Sequence, residues 1–213
     1  MLKHRIFLFV LMLAAVSSSP VAAAESVYTD FPFDNPRCKS LLPEAAGEEP
    51  DGGGVSMVCP GYQGFEVYYK EGDSRVTVHY GHLTDDVISN AWESFGAFNS
   101  VGEKIEWRLD AAGVPYAAIH RYALANFNPD TGMADEALKG EVLVISRVGG
   151  KDDKSGCFVG LVDARANKDA NEIARKVADT LAAGFRCGKD MPEYHGTRGP
   201  SAGDPSISLG EAQ

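Results

Sequence analysis

Positive charge is scarce in this sequence: 20 Lys and Arg stand against 30 Asp and Glu, a formal net charge of −10. Such a chain is repelled by nucleic acid and by anionic membrane surfaces, and it attracts cations. Long apolar runs are missing as well. The stretch Ile6 to Val16 falls short of the roughly 20 residues a bilayer span needs, and no later stretch is more apolar. Motifs of covalent chemistry are also absent. There is no G-x-S-x-G, no S-x-x-K, no phosphate-cradling G-x-x-x-x-G-K-[ST] and no C-x-x-C. These gaps remove the usual signatures of hydrolases, kinases, thiol oxidoreductases and zinc modules, and no catalytic residue, metal ligand or cofactor is assigned.

What the chain does contain begins with an address. Lys3, His4 and Arg5 precede the apolar run, and Pro20 and the small residues Ala22, Ala23 and Ala24 follow it. This is the pattern of a secretory signal peptide over residues 1–24, with cleavage expected after Ala24. No cysteine follows closely enough for lipid attachment. The expected mature protein is soluble and periplasmic or secreted, with no membrane insertion after cleavage.

Four cysteines, Cys38, Cys59, Cys157 and Cys187, fit an oxidising compartment. Of the three possible connectivities, the sequential pairing Cys38–Cys59 and Cys157–Cys187 is preferred. The first pair brackets a Gly-, Pro- and Glu-rich loop, and the second would staple the last helix to a strand.

Residues 25–57 read as an irregular N-terminal segment and 188–213 as a disordered tail, leaving a single domain over 58–187. Within it, Phe65–Tyr69 and Arg75–Tyr80 alternate as a hairpin, with Gly72 expected to take the positive φ of the turn. "TDDVISNAWESFGAF" changes period: Thr84 caps a helix whose Ile88, Ala91, Trp92 and Phe95 share one face. Ile105–Leu109 with Tyr116–Ala123 gives a second hairpin, and "EVLVISRV" with "CFVGLVDA" a third. The final helix carries Ile173, Val177, Leu181 and Phe185 in four-residue steps behind an Asp169/Glu172 capping pair. The expected fold is α+β: an antiparallel sheet of about six strands, in the order β-β-α-β-β-β-β-α, covered by two amphipathic helices.

Period-two alternation also suggests a site. If Val76, Val78, Tyr80, Ile105, Trp107, Leu109, Ala117 and Ile119 face the helices, the opposite face gathers Arg75, Thr77, His79, Glu106, Arg108, His120 and Tyr122. Arg75 and Arg108 would suit a small anionic ligand. Cross-strand salt bridges on a solvated face are the plainer alternative. Metal ligation by His79, His82 or His120 is disfavoured, because residues three apart on a strand point to opposite faces.

The stretches "CPGYQGFEVYYKEGDSRVTVHYG", "EWRL" and "CFVGLVDARANKDANEIARKVADTLAAGFRC" resemble a family of uncharacterised exported proteins of alphaproteobacteria, from about Cys38 to Cys187. That resemblance implies a periplasmic, disulfide-containing protein and carries no activity with it. Two functions follow from the sequence. One is a non-enzymatic periplasmic binding or protein-interaction module, whose partner would be a protein or a small anionic ligand. The other is an envelope hydrolase using His79 or His120 as general base, oriented by Glu106.

Overall fold

The computed structural model describes residues 24–31, 36–42 and 54–209. The signal peptide expected over residues 1–24 lies outside the described residues apart from Ala24, as do 32–35, 43–53 and 210–213. In chain order the elements are β1 (Glu25–Asp30), β2 (Lys39–Ser40), β3 (Val55–Pro60), β4 (Glu66–Gly72), β5 (Arg75–Tyr80), α1 (Asp85–Asn90), β6 (Ala91–Phe95), β7 (Phe98–Leu109), β8 (Pro115–Ala125), β9 (Gly140–Arg147), β10 (Phe158–Asp163), α2 (Ala170–Leu181), β11 (Glu193–Tyr194) and β12 (Pro205–Leu209).

The strands form three sheets: β1-β7-β8-β9-β10-β11, β2-β3-β4-β5 and the ribbon β12-β6. The largest is mixed, because β11 runs parallel to β10 while its other pairs are antiparallel. Among the described residues the architecture is therefore mostly β, with one substantial helix. The six strands read from the sequence do exist, but they are divided between two sheets. The N-terminal segment expected to be irregular supplies β1, β2 and β3, and the tail expected to be disordered supplies β11 and β12.

The hairpins obey local rules. Register pairs Gly72 with Arg75, leaving Asp73 and Ser74 as a two-residue turn, with φ of 50° and 55° respectively. Two consecutive positive φ values are what the right-handed twist of a hairpin prefers. They fall on Asp73 and Ser74, one step beyond the expected Gly72.

Two apolar layers hold the sheets. Val67, Tyr69, Val76, Val78 and Tyr80 of the four-stranded sheet pack against Ile105, Trp107, Leu109, Ala118, Tyr122 and Val144 of the six-stranded one. The other side of the large sheet presents Ala117, Ile119, Leu143 and Ile145 to Ala170, Ala174, Val177 and Ala178 of α2. The alanine edge lets α2 lie close, as its sequence predicts, although the Asp169 side chain makes no capping bond. The large sheet is thus covered on both sides, and this doubling of the core decides where the polar strand residues go.

The two sheets also touch end to end. Gly81 bridges Gly149, and a Cβ on either glycine would collide with backbone of the opposing segment. Gly81 has a φ of 101°, a second reason for glycine there. Both disulfides form in the preferred sequential connectivity, Cys38–Cys59 and Cys157–Cys187, with no free cysteine. Two disulfides suit an oxidising, extracytoplasmic environment. Among the described residues no helix is long and apolar enough to cross a membrane.

Candidate functional site

The residues expected to share one polar face occupy three separate places. Arg75, Thr77 and His79 lie on the side of β5 away from the inter-sheet core, and β6 covers that side. Thr77 Oγ1 accepts the Glu93 amide at 3.1 Å, and His79 Nε2 stands 3.0 Å from Glu93 Oε2. Both oxygens of Glu93 also accept the Phe158 amide, at 2.9 Å each. His79 and Glu93 are buried, so this carboxylate ties β5, β6 and β10 together where no water reaches. Arg75 is held by local partners. Its guanidinium donates to the Asp73 carboxylate and carbonyl and to the Gly96 carbonyl, and it lies 4.8 Å from the Phe98 ring centroid.

Glu106 and Arg108 face α2. Arg108 donates to Asp179 through Nε at 2.9 Å and Nη2 at 2.8 Å, to Ser26 Oγ at 2.5 Å and to the Ala24 carbonyl at 3.2 Å. Glu106 accepts Arg175 Nε at 2.6 Å and Ser26 Oγ at 2.5 Å. Burial pushes the Asp179 carboxyl up, but bonds from Arg108 and Tyr116 more than offset this and leave it below the usual carboxylate range. The network ties α2 to β1 and β7 of the large sheet. It is the salt-bridge alternative, in a half-buried setting.

His120 and Tyr122 sit in the inter-sheet core. His120 Nε2 is 2.5 Å from the Gly102 carbonyl, which can only accept, so Nε2 carries the proton. Nδ1 then accepts the Tyr80 hydroxyl at 2.7 Å. Burial drives the His120 pKa down to about 4, against the opposing pull of the Gly102 bond. Tyr122 packs edge-to-face with Phe95 and Phe158, at centroid distances of 5.6 and 6.0 Å.

The hydrolase pairing is not assembled. Glu106 pairs in register with Ile119 and shares its face, so His120, one residue on, points to the other side of the sheet. His79 is bonded to Glu93, a partner the sequence reading did not identify. The signal for it was a lone acid, Glu93, between two aromatics, Trp92 and Phe95, but that segment reads as helix.

A groove remains as the candidate site. Ala117, Ile119, Ala123 and Ala125 lie on one face of β8; α2 covers the first two, and the small side chains of the last two leave an open floor. Register sets Phe98 opposite Ala125 and Ser100 opposite Ala123. The resulting groove has a volume of about 690 Å³ and is walled by Glu136, Lys139, Glu141 and Arg165. Lys139 pairs with Glu136 at 2.7 Å and Arg121 with Glu141 at 2.8 Å. Arg165 donates to the Lys139 carbonyl and has no carboxylate partner among the described residues. Among the described residues no group of three or more His, Cys, Asp or Glu is arranged to hold a metal ion.

No family model, no curated protein and no solved structure matches the chain.

Proposed function

We propose that the protein is a non-enzymatic binding module of the periplasm, and that the groove over Ala123 and Ala125 receives a segment of a partner protein. The observation that carries this reading is Arg165. A guanidinium held at the groove wall by a backbone carbonyl, with its charge uncompensated, suits a carboxylate of the partner. The cations expected to serve a ligand, Arg75 and Arg108, are occupied by Asp73 and Asp179. The two disulfides support an oxidising compartment.

The test is site-specific photo-crosslinking in the native envelope. A photoreactive residue at Ala125 should give a discrete adduct that the same residue at the exposed, distant Thr180 does not. Arg165→Glu should abolish the adduct. Equal adducts from both positions, or an adduct indifferent to Arg165→Glu, would reject the groove.

A further inference from the structure

A second depression opens at the end of the inter-sheet core, and its chemistry differs from that of the groove. Across the four-stranded sheet, register places Met57, Tyr69 and Val78 in one row and Val55, Glu71 and Val76 in the next, outermost row. Tyr69 and Glu71 are two apart on β4 and point the same way, towards the core. A carboxylate thus stands between two valines on the core-forming face of a sheet. It accepts the Tyr69 hydroxyl at 2.6 Å and has no cationic partner among the described residues. The space it faces holds about 390 Å³, with Asn99 and Ser100 of β7 on the opposite wall. That volume falls within the range of roughly 300–1,000 Å³ typical of small-molecule sites.

We infer that this mouth binds a small amphiphilic amine, its ammonium on Glu71 and its apolar body over Val55, Met57 and Val76. An ionised carboxylate can only accept, and Tyr69 fills part of its capacity, so the group completing it must donate. An ammonium adds opposite charge to that donation, and the bond is stronger for it. Val55 and Val76 on either side of Glu71, with the row of Met57, Tyr69 and Val78 behind, favour an alkyl body, and the pliable Met57 thioether accommodates its shape. The field points the same way. The chain as a whole carries a net charge of −10, which attracts cations.

This inference does not depend on the groove, although Asn99 and Ser100 line both depressions. The experiment is a titration of the full mature protein with n-octylammonium below its micellar concentration, followed by amide NMR and calorimetry. n-Octanol and octanoate serve as matched controls. Saturable binding of the ammonium, with shifts centred on Val55, Met57 and Val76, is expected. Glu71→Gln should weaken it by about ten-fold, the loss expected for one charge-assisted contact. The amide oxygen can still accept from Tyr69, so the variant keeps its fold, which its melting temperature verifies. Arg165→Glu should leave the affinity unchanged. Octanol binding as tightly as the ammonium, an undiminished affinity in Glu71→Gln, or shifts centred elsewhere would each overturn the proposal.

Discussion

His120 is an imidazole that the fold keeps neutral. Its two nitrogens are committed to Gly102 and Tyr80, and burial holds its pKa near 4. The unfolded chain takes up a proton near pH 6.5 and the folded chain does not until about pH 4. The stabilisation is therefore complete above the unfolded value and is lost as pH falls through that window, by up to about 3 kcal/mol. Urea midpoints measured between pH 7 and pH 4.5 should fall more steeply for the wild type than for His120→Gln. Parallel slopes would show that His120 does not titrate in this way. The sequence marks His120 and Tyr122 as polar residues in a strand, and polar was read as wet. From Ala117 to His120, β8 is buried on both faces, by the second sheet on one and by α2 on the other, so alternation there says nothing about solvent. The parity of 117 and 119 against 118, 120 and 122 could only be set by knowing that a second layer existed.

At the scale of elements, the clearest signals were local. The β4–β5 hairpin and α2 carry their periods within a few residues and were legible for that reason. The segment 84–95 was not. Thr84 does cap α1, its Oγ1 accepting the Val87 amide at 3.3 Å, but the helix ends at Asn90 and the chain extends into β6. Ala91, Trp92 and Phe95 fit a helical face, and the aromatics fit a strand equally well. What selects the strand is β12, which pairs Ile207 with Glu93 and Leu209 with Ala91. A partner so distant, embedded in Gly, Pro and Ser, leaves no local trace. The C-terminal segment is therefore structural: Tyr194 donates to the carbonyls of Ala202 and Gly203, and Ala202 is fully buried. Deleting residues 192–213 should destabilise the domain by about 3 kcal/mol or more, from lost apolar burial. Hydrogen exchange should show β6 unprotected. Gly140→Ala is a gentler probe, because its Cβ would meet the Ser201 carbonyl; about 1–3 kcal/mol is expected in denaturant unfolding. Unchanged β6 protection in the truncated chain would contradict the pairing.

For the molecule as a whole, two covalent ties join parts that packing alone holds less firmly. Cys38–Cys59 spans 21 residues and ties the residue before edge strand β2 to β3, while Cys157–Cys187 spans 30 and ties the segment after α2 to the start of β10. Loops of this size contribute about 3–4 kcal/mol each by restricting the unfolded chain. Domains have only about 5–15 kcal/mol of net stability, so reduction of both should leave the fold marginal. Melting with and without a strong reductant, beside the double variants Cys38→Ser/Cys59→Ser and Cys157→Ser/Cys187→Ser, measures each share. A reduced protein melting at the oxidised temperature would refute it.

Both extremities of the described chain are consumed by its middle: β1 lies along β7, and β12 lies along β6. A polypeptide that emerges N-terminus first cannot seal this architecture until β12 arrives. Docking of β12 on β6 joins segments far apart in the chain, and pairings of such long separation form slowly. That delay would leave β6 an open edge for as long as β12 is undocked.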